Sequence, residues 1–555
     1  MNIIHTDVLV VGGGPTGLTL SNVLGSAGAR FALVDRKPST IAEPRAVSID
    51  DESLRTMQAV GLAEAVMKDV VLGYGVHYFT RHGGHCFGRV IPSASEYGFP
   101  RRNAFRQPLF EATVREGLSR FESGQVLFGH TLESFAQGEE GVVAQVSSNS
   151  GERLEIHAKY LVACDGGRSP VREMLGIGMV GSTFKSRWLV IDTEDDDDTF
   201  SQMRVYCDAK RAVVDVPGPH HTRRFEILVH PHESADAIME PATIRQLLMP
   251  FRGDRETNII RKVVYTFHAR VAERWQEGRV FLAGDAAHLT PPYAGQGMNS
   301  GIRDAFNLGW KLASVLDGRL PASVLDTYEM ERREHAWSLI RLALNLGIVM
   351  APSSRLSAFL WQSFFRFAGY IPPLRDYFLQ MKFKPKPRFR EGLLGPDDGL
   401  GKRSFQGRML PQPMVRIADG TASLLDDLTG QGFALVQYGP ATGSRLADLG
   451  HPLWNNLRCT RVHVLPAGST IPAGRSKGSW QFVVDINDAF RTLFADQEGR
   501  ILLLRPDRYV AGAFRADEQS QFATAYAARL GIHHFGERAS GTVKGTEAAA
   551  ASSHA

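Results

Sequence analysis

Three glycine-containing turns carry the residue types that could hold a ligand with phosphate and polyol groups. GGGPTG occupies residues 12–17, CDGGRS occupies residues 164–169, and GDAAHL begins at residue 284. Each turn follows a short apolar run, so backbone N–H groups at the turn can donate to phosphate oxygens. The carboxylates of Asp165 and Asp285 can accept hydroxyl groups of a sugar or polyol. These residues predict that the chain binds a dinucleotide-type cofactor.

The first turn has the spacing of a dinucleotide-binding glycine motif. Gly12 permits the tight turn, Gly14 lets the backbone approach a pyrophosphate, and Gly17 allows a helix to pack closely on the preceding strand. Asp35 ends the next apolar run, about 20 residues downstream, where an acid accepts ribose hydroxyls. The alternative, a chance glycine turn, explains neither the two flanking strands nor the acid.

Each of the other two turns, taken alone, could be an ordinary strand-to-helix turn. A parallel sheet, however, places the carboxyl ends of its strands at one edge. Asp165 and Asp285 are therefore predicted to line one cofactor cleft. Arg45, in a loop after Asp35, could reach the cofactor phosphates, with a solvated loop arginine as the alternative interpretation.

The elements that must position these turns show two strand patterns. Continuous apolar runs, such as Asp7 to Val11, indicate buried parallel strands. Alternating runs between about residues 184 and 267 indicate an antiparallel sheet on the substrate side. Helical periodicity dominates Gly301 to Leu316 and Ser323 to Leu346, and the Pro-Lys-Pro segment 385–387 marks a linker before a further α/β region.

Composition excludes several classes of protein. A chain of 555 residues with 43% apolar and 22% charged residues is typical of a globular protein with two or three domains. The net charge is only +4 and no dense Lys/Arg cluster occurs, which disfavours nucleic-acid binding. No uninterrupted apolar stretch reaches about 18 residues, so no membrane-spanning helix is predicted.

The cysteines predict neither disulfides nor a metal site. There are four, widely spaced, with no CxxC pair and no Cys/His ligand pattern. The first apolar run enters a glycine turn and carries Asp7 before it, unlike a signal peptide. A reduced, cytoplasmic location is the expectation.

Three segments together resemble those of the FAD-dependent aromatic hydroxylases, the single-component flavoprotein monooxygenases: GGGPTG at 12–17, CDGGRSPVR at 164–172 and GDAAHLTPPYAGQGMNSG at 284–301. FPRRNAFRQP and RPDRYVA, among other segments, are most similar to members that act on a phenol with a propionate tail. The resemblance covers nearly the whole chain. It implies an aromatic-catabolic enzyme that uses FAD, NADH or NADPH as a transient co-substrate, and O₂. Such enzymes hydroxylate a small phenol ortho to its hydroxyl through a flavin hydroperoxide, and a homodimer is expected.

The resemblance also implies an α/β architecture. Its parts are a Rossmann-like FAD-binding domain at 1–183 with 74–107 contributing to the substrate side, an antiparallel-sheet substrate domain at 184–275, a return to the FAD domain with long helices at 276–384, a thioredoxin-like C-terminal domain at 395–540, and a disordered tail at 541–555. The C-terminal region lacks CxxC and contains a solitary Cys459, so it cannot perform dithiol chemistry. A structural or assembly role is left for it.

The cofactor-binding residues implied by the resemblance are Gly12, Gly14, Gly17, Asp35, Arg36, Arg45, Gln107, Asp165, Asp285, Gly295, Gly297, Met298 and Asn299. Gly295 to Asn299 would lie against the flavin ring and Asp285 near the ribityl chain. Gln107 could donate to a ring carbonyl, although a glutamine at a helix start is often structural. Many relatives have Glu where this chain has Asp35, and the shorter acid can still accept ribose hydroxyls.

Candidate catalytic and substrate-binding residues are less distinctive. Pro292 stands where a backbone carbonyl often meets the substrate hydroxyl in this family. A phenol reacts best as phenolate, so a proton acceptor is needed. The candidates are His288 and Tyr206, although a packing histidine and a core tyrosine are the alternatives. Candidates for the substrate carboxylate, most of which would be surface or ion-pair arginines, are Arg101, Arg102, Arg187 and Arg224.

Other functions remain open at this level. The substrate could be another phenol, such as a resorcinol or a polycyclic aromatic. The chain could also be a flavin reductase or assembly protein that does not oxygenate. Pro292 and the GQGMN loop at 295–299 favour oxygenation.

Overall fold

The computed structural model describes residues 2–93, 95–472, 480–495 and 497–533. The predicted disordered tail, residues 541–555, lies outside the described residues, as does the end of the predicted C-terminal domain from residue 534.

The strands within these residues are, in chain order, β1 (Asn2–Val11), β2 (Phe31–Asp35), β3 (Ser48–Ile49), β4 (Val70–Leu72), β5 (Val76–Phe79), β6 (Cys86–Val90), β7 (Asn103–Phe105), β8 (Gly124–Phe128), β9 (His130–Gln137), β10 (Val142–Ser148), β11 (Arg153–Ala163), β12 (Met179–Glu194), β13 (Met203–Tyr206), β14 (Val213–Pro217), β15 (Arg223–Val229), β16 (Asn258–Ala272), β17 (Gln276–Glu277), β18 (Val280–Leu282), β19 (His288–Leu289), β20 (Met414–Arg416), β21 (Ala422–Leu424), β22 (Ala434–Tyr438), β23 (Thr460–Leu465), β24 (Trp480–Asp485), β25 (Ile501–Leu504) and β26 (Val510–Phe514).

The α-helices are α1 (Pro15–Ser26), α2 (Asp51–Ala59), α3 (Ala63–Met67), α4 (Gln107–Glu116), α5 (Pro170–Met174), α6 (Ala235–Ile238), α7 (Pro241–Arg252), α8 (Gly297–Leu316), α9 (Thr327–Met350), α10 (Arg355–Ala368), α11 (Pro372–Leu379), α12 (Leu425–Thr429), α13 (Pro452–Asn456), α14 (Ala489–Phe494) and α15 (Gln519–Arg529).

The first sheet has a parallel core in the order β8-β2-β1-β11-β18, extended by β17 and by the β9–β10 hairpin. Its central strands are buried on both faces, which explains their continuous apolar runs. β1, β11 and β18 are neighbours, so the turns that follow them emerge at one edge. Helices α1 and α8 pack against each other beside this sheet.

The second sheet has the order β19-β16-β12-β15-β14-β13-β5-β6 and is antiparallel except where β13 pairs with β5. One face packs on α6 and α7 through Leu189, Ile227 and Tyr206. The other face, which carries Trp188 and Val214, packs against the end of α9 and against α10 through Met350 and Phe365. β5 and β6 come from the stretch 74–107, which therefore joins this sheet.

The third sheet, in the order β21-β20-β24-β23-β22-β25-β26, forms the C-terminal region with its own apolar cores. A buried ionic cluster joins it to the long helices. Glu331 of α9 accepts from Arg505 at 2.6 and 2.7 Å and from Lys311 of α8 at 2.7 Å, and Asp507 pairs with Arg505 at 2.7 Å. Arg55 of α2 likewise pairs with Asp426 of α12. Charged groups buried this deeply are stable only when paired, so the C-terminal region is tied to the helices by matched charges.

Helices α10 and α11 leave an apolar surface uncovered. The exposed side chains include Leu356, Phe359 and Phe367 of α10 and Tyr370 in the turn between the two helices. No single helix in the described part of the chain has both the length and the apolar composition needed to cross a membrane; residues 322–350 and 355–368 pass that test only as a pair bent by 108°.

Candidate active site

The three glycine-containing turns meet around one cavity of about 440 Å³. Its lining includes Gly14 of the first turn, Asp165 of the second, Asp285 of the third and Gly297 at the start of α8. The lining also includes Glu226 of the second sheet. The cavity therefore runs from the edge of the parallel sheet to the face of the antiparallel one.

The glycines form a cradle at the end of β1. Gly12 has φ +110°, and a Cβ there would lie 2.3 Å from the carbonyl oxygen of Cys164. A Cβ on Gly17 would lie 1.9 Å from the carbonyl oxygen of Gly12, so Gly17 serves helix packing and does not line the cavity. A Cβ on Gly14 meets no atom within 4 Å. The backbone at Gly14 is thus open to a ligand.

Asp35, Arg36 and Arg45 line the end of the cavity beyond β2. Asp35 accepts from the Gly13 N–H at 2.6 Å, which orients its carboxylate beside the cradle. The backbone of Arg45 is fixed, because its N–H donates to Gln107. Among the described residues, no acceptor lies within hydrogen-bonding distance of the Arg45 guanidinium. A cation without a partner in this cavity fits a phosphate.

Replacing Arg45 by methionine is expected to weaken FAD binding roughly 10- to 100-fold, because a charge-assisted hydrogen bond contributes about 1.5–3 kcal/mol. Fluorescence titration of apoprotein with FAD measures the dissociation constant. Arg390→Met, at an exposed linker arginine, is the control. An Arg45→Met dissociation constant equal to that of the wild type would make Arg45 a solvated loop residue.

Gln107 lies at the cavity wall, but its amide is used within the protein. Its carbonyl oxygen accepts from Ala46 at 2.6 Å, and its Nε2 donates to Glu111 at 2.7 Å. The structure thus shows Gln107 ordering the loop that carries Arg45. The predicted donation to a ring carbonyl would have to use its second amide hydrogen.

Several polar atoms at the cavity have no protein partner. Oδ1 of Asp165 and Oγ1 of Thr290 are buried without a hydrogen bond, while Oδ2 of Asp165 accepts from Val171. Desolvation raises the pKa of Asp165. Asp285 is open to the cavity but surrounded by protein, and the same effect raises its pKa. Unpaired buried polar atoms are rare, so these positions fit the hydroxyl and amide groups of a bound cofactor.

The N-terminus of α8 points at the cavity through Gly297 and Met298, and its first turn contains no acid. Free N–H groups at a helix start favour negative charge on a ligand. Asn299 is buried below this turn and is a scaffold residue here: it accepts from Ser53 and donates to Gly295 at 2.7 Å. Gly295 itself has φ +61°, a conformation that glycine adopts readily.

Pro292 lines the cavity in the loop between β19 and α8. Its carbonyl oxygen accepts from the Gly295 N–H at 2.8 Å, which closes the turn. One lone pair of that oxygen is left for a substrate hydroxyl.

Arg224 and Arg261 clamp the loop before Arg45 onto the second sheet. Arg224 Nε donates to Asp192 at 2.7 Å and its Nη2 to the Pro44 carbonyl at 2.7 Å. Arg261 also donates to the Pro44 carbonyl and lies 3.5 Å from Asp192. Arg224 therefore lines the cavity, near the predicted substrate side, but its donors are engaged by protein.

The structure places the other substrate and catalytic candidates away from the cavity lining. His288 is fully buried, bonds Asp304 at 2.6 Å and packs on Trp275. Tyr206 stacks on Phe79 on the α7 side of the second sheet, where burial raises its pKa to about 12. The remaining three are arginines with protein partners: Arg101 donates to Gln380, Arg102 to Tyr74 and Arg187 to His230.

Sequence reasoning missed Glu226 at the cavity and two neighbouring aromatic residues, Trp188 and Tyr293. Glu226 of β15 lines the cavity, and Trp188 of β12 donates to the Tyr293 hydroxyl at 3.1 Å. Burial raises the pKa of Tyr293 to about 12. The signal for Glu226 was present: in RRFEILV, residues 223–229, alternation places it on the same face as Arg224.

A buried acidic cluster supports the turn below α8. Asp50 caps α2, and Arg303 pairs with Asp50 and with Glu52. Burial alone would raise the pKa of Asp50, but attraction to Arg303 and Lys384 holds it below its usual value. For Asp51 burial dominates, and its pKa rises to about 7.

Asp51→Asn is expected to change how stability depends on pH. The folded protein binds the Asp51 proton more tightly than the unfolded chain, so this carboxyl lowers wild-type stability as pH rises from about 4 to about 7. The asparagine variant lacks that decline. Its free energy of unfolding, relative to that of wild type, should therefore rise by on the order of 2 kcal/mol between pH about 4 and about 7. Urea unfolding at several pH values measures it, with the exposed Glu64→Gln as control. Parallel curves for wild type and variant would contradict the assignment.

A sequence profile of the FAD binding domain family matches residues 5–343, more than half of the chain. The chain belongs to this family. A second profile, the HcaD C-terminal domain, matches residues 407–529. That match does not test the thioredoxin-like class, which stays a prediction.

Full-length relatives extend the match beyond the FAD binding domain. The 3-(3-hydroxy-phenyl)propionate/3-hydroxycinnamic acid hydroxylase of Burkholderia cenocepacia is 40% identical over 530 residues, covering 94% of this chain and 96% of the relative. The enzyme of that name from Shigella sonnei is 39% identical over 91% of each chain.

Solved structures show the same fold. The flavin-dependent monooxygenase PieE, in complex with FAD and substrate, superposes with a TM-score of 0.79 at 22% identity, covering 95% of this chain and 99% of PieE. Aklavinone-11 hydroxylase with FAD and aklavinone gives 0.75 at 25% identity, covering 96% and 100%. The predicted α/β fold class, FAD cofactor and membership of the FAD-dependent aromatic hydroxylases are confirmed.

Proposed function

We propose that this FAD-dependent aromatic hydroxylase acts on 3-(3-hydroxyphenyl)propionate or 3-hydroxycinnamate and places the new hydroxyl ortho to the existing one. The 2,3-dihydroxy compound would be the product, with NADH or NADPH and O₂ as co-substrates. The observation that carries this proposal is the 40% identity to hydroxylases of that name along 94% of the chain.

The cavity supports the proposal because it is lined both by residues suited to hold FAD and by residues of the substrate-side sheet. Bound FAD supplies the electron transfer and the oxygen activation. The Gly12–Gly14 cradle and Arg45 would hold its phosphates, Asp35 its ribose, and Asp285 its ribityl chain. The N-terminus of α8 would stabilise negative charge on its ring. These roles are proposals for residues that the structure brings to one cavity.

An aromatic cluster beside Pro292 suits an aromatic substrate. Trp188, Phe267 and Tyr293 form an aromatic cluster, with ring centroids 5.8 Å apart for the two pairs that include Tyr293. Such rings exclude water and favour contact with the edge or the face of a planar substrate ring. The Pro292 carbonyl would accept the substrate hydroxyl.

Arg102 is our candidate for the substrate carboxylate, which would have to extend beyond the cavity lining to reach it. It lies over the Tyr74 ring at 4.7 Å, beside Met203, on the face of the second sheet opposite to Tyr206. Arg224 is already engaged by Asp192, and Arg101 and Arg187 donate to carbonyls elsewhere.

Product analysis tests the substrate. Purified FAD-loaded protein is incubated with NADH or NADPH and a panel of phenols with and without carboxylate tails, and products and peroxide are quantified. We expect a catechol only from the phenols with a short carboxylate tail. Peroxide alone from those phenols would contradict the proposed substrate, and a product from a resorcinol or a polycyclic aromatic would replace it.

Two further predictions belong with this function. All four cysteines are free thiols, which supports the predicted cytoplasmic location.

The homodimer stays a prediction. Light scattering after size-exclusion chromatography measures the molecular mass, which distinguishes a dimer from a monomer.

A further inference from the structure

Glu226 is an acid on β15, between the apolar residues Phe225 and Ile227. Its backbone lies opposite Val190 of β12 and Val214 of β14. Phe225 and Ile227 on either side point into the core beneath α6 and α7, so Glu226 points the other way. Its side chain is 15% exposed, and that exposure is to the cavity that Pro292 also lines.

The Glu226 carboxylate has no partner that would explain it as a structural residue. Among the described residues, no donor lies within hydrogen-bonding distance of either oxygen. The nearest cation is Nη1 of Arg224, 3.9 Å from Oε1, and that guanidinium is bonded to Asp192 and to the Pro44 and Arg45 carbonyls. A partly buried carboxylate without donors costs stability, which indicates that a ligand group completes it.

We propose that Glu226 is the proton acceptor for the phenolic hydroxyl of the substrate. This inference rests on the proposed function. The phenolic hydroxyl turns from the Pro292 carbonyl to Glu226, its O–H bond breaks, the proton passes to a Glu226 carboxylate oxygen, and the electron pair stays on the phenol oxygen. That pair increases the electron density at the ortho carbon, which is the carbon that takes up the new oxygen. Glu226 therefore touches the reacting group of the substrate.

The surroundings of Glu226 suit this proton transfer. Burial raises the pKa of Glu226; Arg224 opposes the shift and Asp192 adds to it. A more basic carboxylate is a better match for a phenol, whose pKa is near 10. The charge of Glu226 in turn contributes to the raised pKa of Tyr293, which follows Pro292 in the chain, so the acid acts on the Pro292 loop across the cavity.

A spectroscopic experiment tests Glu226 without requiring turnover. FAD-loaded wild type, Glu226→Gln and Glu226→Asp are titrated with 3-(3-hydroxyphenyl)propionate, and the ultraviolet difference spectrum reports phenolate formed on binding. We expect a phenolate signal with wild type, a signal at least about tenfold weaker with Glu226→Gln, and partial recovery with Glu226→Asp. Glu256→Gln, at an exposed position of the same region, should match wild type. Equal signals from wild type and Glu226→Gln, or no signal from wild type, would overturn the assignment.

Turnover separates this inference from the proposed function. Glu226→Gln should lower catechol formation about 10²- to 10⁴-fold, the usual contribution of a general base. FAD occupancy and the substrate dissociation constant should stay within about threefold of wild type. Catechol formation by Glu226→Gln at a rate near that of wild type would refute the role of Glu226 alone. Absence of catechol from wild type, with the phenolate signal intact, would refute the proposed substrate reaction and leave the proton acceptor supported.

Discussion

Gly12→Ala is expected to lower the stability of the apoprotein by about 3 kcal/mol and to weaken FAD binding at least about 100-fold. The added Cβ would lie 2.3 Å from the Cys164 carbonyl oxygen and 2.8 Å from the Asp165 nitrogen, both backbone atoms. The φ of +110° adds strain for any side chain. The turn after β1 must therefore move away from the turn after β11, and both turns line the cavity. Urea unfolding of the apoprotein and FAD titration measure the two effects.

Gly14→Ala separates steric damage to the protein from damage to the cofactor site. A Cβ on Gly14 meets nothing within 4 Å and its φ of −85° suits alanine, so apoprotein stability should stay within about 0.5 kcal/mol of wild type. FAD binding should still weaken, because the methyl group occupies the open side of the cradle. Equal apoprotein stabilities for Gly12→Ala and Gly14→Ala would contradict the geometry of the β1–β11 edge.

Glu331→Gln is expected to destabilise the FAD-loaded protein by about 3–5 kcal/mol, the usual cost of removing one partner from a buried ion pair. Glu331 is the acceptor for Arg505, Lys311 and Asn307, and its Oε1 also accepts from the Leu393 N–H. Burial alone would raise its pKa, but Arg505 and Lys311 hold the pKa well below the usual value. A neutral amide would leave two buried cations sharing Asp507 alone.

The matched control is Glu334→Gln, one turn along α9 at an exposed position, which should change stability by less than about 0.5 kcal/mol. Urea unfolding followed by flavin fluorescence and by far-ultraviolet circular dichroism measures both variants. A Glu331→Gln midpoint within error of the Glu334→Gln midpoint would show that the charges at this junction are dispensable.

The cofactor side of the cavity was predictable because its determinants are local. Gly12, Gly14 and Asp35 are identified by their spacing along one βαβ unit. Asp165 and Asp285 are identified because each follows an apolar strand. A parallel sheet then brings such strand ends to one edge, whatever the rest of the chain does. The predicted fold class follows from the same alternation of apolar strands and helices.

The substrate side was less predictable because it depends on contacts between distant elements. Alternation shows which residues of a strand share a face with Tyr206 or with Glu226. It does not show which face of the sheet meets the cofactor, because that depends on how α6 and α7 cover the sheet. His288 lies in the right loop, yet Asp304, on the next helix, and Trp275 enclose it. Helices α10 and α11 were not among the predicted helices, and their apolar faces are largely exposed, with no partner that the sequence could indicate.

The clamp on the Pro44 carbonyl limits how this enzyme could acquire new substrates. Arg224 and Arg261 share Asp192 and together bind the loop that carries Arg45 to the second sheet. A tilt of that sheet to admit a larger aromatic would therefore drag the phosphate-side loop with it and misplace the cofactor. Divergence in substrate range is accordingly expected to proceed by exchanging side chains on a fixed sheet, at positions such as Trp188 and Val214, and not by moving the sheet.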